Sequence, residues 1–76
     1  MIPHDAVLNA LRKLNFSFKR QTDRVDLYKQ KGTPRRVTLN RNAMHDPMYV
    51  RILLKQAGMS EADIEAFIQE TDKRLH

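Results

Sequence analysis

The hydrophobic period of this chain changes twice, and the change limits what it can fold into. Phe16 and Phe18 alternate with Ser17 and Lys19, Val25 and Leu27 with Asp26 and Tyr28, and Val37 and Leu39 with Arg36 and Thr38. A period of two marks strands that bury one face. The breaks between them, Thr22-Asp23-Arg24 and Lys31-Gly32-Thr33-Pro34, are short and rich in turn-forming residues. Neither can hold the dozen or so residues that a parallel crossover needs, so the three strands form an antiparallel meander.

On both flanks the period is helical. Val7, Leu8, Leu11 and Leu14 form the stripe of a first helix. Pro3 suits its first turn, where a missing N–H is harmless, and Asn15 suits its end, because Asn tolerates the left-handed conformation. A polar loop runs from Asn40 to Asp46, and Asp46-Pro47 then opens a second helix with a cap followed by proline. Val50, Leu53, Leu54 and Ala57 occupy i, i+3, i+4 and i+7, and Gly58 is the expected left-handed residue beyond them. Met44, Met48 and Met59 flank this helix and read as gap-filling core residues. Ser60-Glu61-Ala62-Asp63 resembles a capping box and leads into Ile64, Phe67 and Ile68 of a last helix. Its acids Glu61, Asp63 and Glu65 sit at the positive end of the dipole, Lys73 and Arg74 at the negative end. Glu61, Asp63, Glu65, Glu70 and Asp72 read as a solvated acidic face, or as a surface for a partner.

The expected fold class is α+β, in the order α-β-β-β-α(-α), as one domain over residues 1–76 with the helices packed on one face of the sheet. A chain of this size buries only roughly 60% of its unfolded surface, so every apolar face is needed. The expected buried face carries Phe16, Phe18, Val25, Leu27, Val37 and Leu39. Ser17, Lys19, Asp26, Tyr28, Arg36 and Thr38 are expected in water.

Charge is concentrated in the same central stretch. Lys19, Arg20, Arg24, Lys29, Lys31, Arg35, Arg36 and Arg41 stand against only Asp23 and Asp26, a local net of +6, while the rest of the chain nets −1. A basic sheet attracts polyanions, and RNA or DNA phosphates are the commonest of these. Tyr28 among these cations is a candidate for stacking on a base or ribose. The plainer reading is a set of edge strands kept basic against aggregation.

Several chemistries find no support. Cysteine is absent, so disulfides and thiolate metal sites are excluded. Gly occurs only at positions 32 and 58, too few for a phosphate-cradling loop. No histidine or carboxylate spacing suits a metal, and no cofactor is expected. No apolar run approaches the ~20 residues of a membrane span, and Met1-Ile2-Pro3-His4-Asp5 lacks a signal-peptide layout, so the expectation is a cytoplasmic protein without membrane association. Of the three histidines, His4 and His76 are near the termini and expected in solvent. His45 precedes a helix beside Asp46, whose carboxylate can orient an imidazole, and is the candidate general base.

Four segments carry a family resemblance: Phe16-x-x-x-Arg20-Gln21, Leu27-Tyr28-Lys29, Arg35-Arg36-Val37-Thr38-Leu39, and Arg51-x-Leu53-Leu54-Lys55-Gln56-Ala57-Gly58-Met59-Ser60. In order and spacing they resemble the HicA (YcfA-like) toxin family, over roughly Val7 to Phe67. The resemblance implies a fold like a double-stranded-RNA-binding domain. It also implies ribonuclease toxins that cut messenger RNA and are neutralised by a HicB-type antitoxin. One departure matters. Where the family has Gly-Ser-His entering the second strand, this chain has Asp23-Arg24-Val25, and valine cannot transfer a proton. The usual Pro-x-His after the third strand is Asn40-Arg41-Asn42 here. No family catalytic residue carries over. The RNA-facing basic character does, at Arg20, Lys29, Arg36 and Arg51. Position 25 shares a side with Leu27, so valine there reads as an extension of the core.

Three readings follow. The first is an RNA-binding HicA-like protein with messenger-RNA cleavage weak or lost. The second is an interaction module that docks a HicB-like antitoxin or another acidic protein on its basic face, as a monomer or small oligomer. The third is an active endoribonuclease that uses His45 or Tyr28.

Overall fold

The computed structural model describes residues 1–73. Their elements run β1 (Ile2–Pro3), α1 (His4–Lys13), β2 (Phe16–Gln21), β3 (Val25–Gln30), β4 (Arg36–Asn40), β5 (Met44–His45), α2 (Pro47–Gln56) and α3 (Glu61–Lys73). Arg74 and His76 lie outside the described residues, as does the side chain of Lys73. The fold is α+β, with a three-stranded antiparallel sheet in the order β2-β3-β4 and helices on one face of it.

The helix ends follow from single residues. Asn15 adopts φ 68° and closes α1, its N–H donating to the Arg12 carbonyl at 2.9 Å. The Asp46 carboxylate accepts the Met48 N–H at 2.8 Å and caps α2, with Pro47 at its first position. Gly58, at φ +94°, ends α2 with both bonds of a Schellman motif: its own N–H to the Lys55 carbonyl, and the Met59 N–H to the Leu54 carbonyl, each at 3.0 Å. A side chain at 58 would also strike the Arg35 guanidinium, which lies against that helix end. Ser60 Oγ accepts the Asp63 N–H at 3.2 Å, one half of a capping box.

Pro3 stands one residue earlier than expected. It is extended (φ −63°, ψ 143°) and precedes α1. The reason is a second ladder, in which Ile2 pairs with His45 and Pro3 with Met44. The stretch expected as a polar loop therefore contains a strand. Two-residue strands leave no periodic trace, and the signal here is only that Ile2 is fully buried.

The core is one cluster. Phe16, Val37 and Leu39 of the sheet meet Val7, Ala10 and Leu11 of α1, Val50, Leu53 and Leu54 of α2, and Ile64 and Ile68 of α3. Two of the flanking methionines stay outside it, with Met48 at 58% and Met44 at 36% exposure, while Met59 is partly buried.

The central strand β3 is in the opposite phase to expectation. Residues directly opposite in an antiparallel pair point to the same face. Tyr28 is opposite both Phe18 and Val37, and Asp26 opposite Leu39, so Asp26, Tyr28 and Gln30 face the helices. Val25 and Leu27 share the other face with Asn40 and Thr38. The turn decides this. The Gln30 N–H donates to the Arg35 carbonyl at 3.0 Å, which places every even residue of β3 against an odd residue of β4. Val25 and Leu27 cannot then join Val37 and Leu39. On the helix side Tyr28 packs on the core, and Gln30 Nε2 donates to the Leu14 carbonyl at 2.8 Å. Val25 is thus no extension of the core. Phe18 keeps its expected face but lies at the margin of the sheet, 56% exposed.

No helix among the described residues is long and apolar enough to cross a membrane.

Candidate nucleic-acid interface

The face of the sheet turned away from the helices is built from cross-strand rows. One row is Ser17, Lys29 and Arg36, and the next is Arg20, Leu27 and Thr38. The register of β2 slips between Phe18 and Arg20, so two residues of β2 meet one of β3. Phe18 points to the helices and Arg20 to the open side, which leaves Lys19, by alternation from Phe18, on the open side too. The bulge therefore delivers two consecutive exposed cations to one face. Arg24 is exposed in the turn that leads into β3.

These five cations are uncommitted. No side chain among the described residues hydrogen-bonds or ion-pairs with Lys19, Arg20, Arg24, Lys29 or Arg36. Long cationic side chains without internal partners keep their full capacity for an anion.

The other basic candidates are engaged. Arg35 turns to the end of α2 and donates to the Ala57 carbonyl at 3.5 Å. Arg41 donates to the Asp26 carboxylate at 2.9 Å and to the Asp23 carbonyl at 2.6 Å, bracing the β2–β3 turn. Arg51 bonds the Glu65 carboxylate at 2.6 Å across α2 and α3. Glu65, Glu61 (to Lys55 at 3.1 Å) and Asp72 (to the N-terminal ammonium at 3.1 Å) spend much of the acidic face of α3 on partners within the chain.

Tyr28 is not among the open-face cations. Its ring packs on the core and meets Phe18 edge-on, with centroids 5.9 Å apart and planes at 75°. Burial raises the pKa of its hydroxyl; the Asp26 charge adds to the rise and Arg12 of α1 opposes it. The phenol therefore holds its proton and is a poor base.

His45 is 2% exposed. Its Nε2 is 2.9 Å from Nδ1 of His4, so one ring donates and the other offers a lone pair. Tyr49 stacks on it at 5.4 Å, and the Tyr49 hydroxyl accepts the Asn40 N–H at 3.0 Å and donates to the Thr38 carbonyl at 3.4 Å. Burial lowers the pKa of His45, and the neighbouring His4 lowers it further. Asp46, expected to orient this imidazole, spends its carboxylate on the Met48 N–H instead. His4, expected in solvent, is half-buried. The pair joins α1 to β5, and Tyr49 of α2 stacks on it, so His45 is out of reach of a polymer at the surface. No group of three or more metal-binding side chains occurs among the described residues.

No family model, curated protein or solved structure matches the chain.

Proposed function

We propose that this protein binds RNA on the open face of its sheet and does not cleave it. The observation that carries the reading is the cluster of Lys19, Arg20, Lys29 and Arg36 on one face, each without a side-chain partner among the described residues. Four cations on a stiff sheet can neutralise phosphates without further ordering of the backbone, the cost falling on side-chain rotamers alone. The helix–three-strand–helix order supports the HicA resemblance, and with it RNA rather than DNA as the polyanion. Val25, where that family has its catalytic histidine, is half-buried on this face beside Leu27. It offers no group to take a proton. Tyr28 and His45 face elsewhere, so neither replaces it.

Val25 and Leu27 favour a second reading. They give the cationic face an aliphatic centre, which a phosphate backbone does not require and a protein partner does. An acidic, antitoxin-like protein fits that face, and would compete with RNA for it.

The test is the affinity for RNA as a function of salt. With about four phosphates neutralised and a slope of roughly −0.7 per phosphate for single strands, log Kobs falls against log salt with a slope near −3. Labelled RNA recovered after long incubation is intact. A flat salt response, or no binding at low ionic strength, overturns the reading. Cleavage by the wild-type protein overturns its second half.

A further inference from the structure

We infer that Phe18, on the helix-side edge of β2 beside this interface, stacks on a base, so that the RNA it takes is single-stranded. This rests on the RNA reading above and adds the class of strand. Phe18 is 56% exposed, as open as Met48 and Ile52 of α2, and is the aromatic side chain among the exposed large hydrophobics of the described residues. It lies on β2, one of the two outer strands of the sheet, with no strand beyond it among the described residues. Tyr28 meets it edge-on and is itself packed on the core, so the Phe18 ring is held while more than half of its residue stays open.

The charges around the ring complete the site. Lys19 and Arg20 follow Phe18 directly and turn to the opposite face at the bulge. On the helix side, α1 packs against β2 and carries Arg12, which is exposed and donates to Asn9 at 3.4 Å. A strand that crosses the edge of β2 thus finds cations before and after an aromatic platform. This alternation of stacking surface and phosphate partners suits single strands, whose bases are free to leave their neighbours. A duplex keeps its bases inside and offers Phe18 nothing. A protein segment with a hydrophobic anchor is the competing occupant, but it does not use cations on both sides of one ring.

The experiment compares three fluorescent probes by anisotropy: a short single-stranded RNA, the same strand annealed to its complement, and an abasic strand of equal length. Phe18→Ala weakens binding of the single strand roughly 5- to 150-fold, the range for loss of one stacked base. Its salt slope is unchanged, because no phosphate contact is lost. Binding of the duplex and the abasic strand is unaffected, and Phe18→Trp restores the single-strand affinity. A thermal melt of Phe18→Ala matching the wild type shows that the fold is intact. If wild type and Phe18→Ala bind the single strand equally, the stacking inference falls and the RNA reading stands. Equal weakening for all three probes also overturns it, since the effect is then not on a base. If the wild-type protein binds none of the probes, both fall together.

Discussion

His45 carries a charge-bearing group into a site that water scarcely reaches, and two neighbours define what it can do there. Its pKa is lowered by burial and by His4. An unfolded chain takes up the proton as pH drops through about 6.5, while the folded one resists it to lower pH. Below that point the unfolded state binds more protons, so stability is level above about pH 6.5 and falls as pH drops beneath it. The melting temperature followed from about pH 7.5 to 5 shows this decline, and His45→Gln, which keeps a neutral polar side chain, flattens it. An unchanged slope in that variant means another group is responsible. At this scale the sequence was legible wherever a residue carries its own conformational demand. Asn15 and Gly58 take positive φ as expected, and Asp46 caps as expected. The partnership of His4 with His45, 41 residues apart, has no local trace.

Strand β3 shows how a turn overrides a pattern. Val25-x-Leu27 and Val37-x-Leu39 look alike in sequence, yet only the second pair is buried, at 2% and 0% exposure. Register sets which face a strand presents, and the link from Gln30 to Arg35 sets the register. The two pairs should therefore respond differently to truncation. Leu39→Ala removes core volume and costs about 2–5 kcal/mol, whereas Leu27→Ala, on the open face, costs under about 1 kcal/mol. Val25→His belongs with the second class, since an imidazole there meets no core. Urea unfolding of the three variants checks this. A loss of several kcal/mol for Leu27→Ala would place that side chain in the core and refute the observed phase. The period of two was enough to read three strands, because alternation alone distinguishes them from helices. It was not enough to pair their faces, because the parity of a turn depends on its hydrogen bonds.

Across the whole molecule, the sheet separates two populations of cations. Lys19, Arg20, Lys29 and Arg36 are uncommitted on one face, and Arg35, Arg41 and Arg51 brace turns and helices elsewhere. Removing equal charge from each set gives unequal results. Lys29→Gln with Arg36→Gln lowers RNA affinity and reduces the salt slope by about 1–1.5, two phosphate contacts' worth. Arg41→Gln with Arg51→Gln leaves the slope in place and acts on stability, by about 1 kcal/mol at most for the exposed Arg51–Glu65 pair and by more for Arg41, whose partner Asp26 is largely buried. Identical loss of slope in both pairs would mean that net charge, not this face, attracts the RNA. The order of the three helices and the three sheet strands, the helix stops and the concentration of charge were determined by the sequence itself, because periodicity, positive φ and charge are local properties, whereas the two-residue β1 and β5 were not. Which cations stay uncommitted, which face Tyr28 joins, and that Phe18 rather than Tyr28 is exposed were decided only by the tertiary structure. Those outcomes depend on register and on partners distant in the chain, and neither exists until the sheet has closed against its helices.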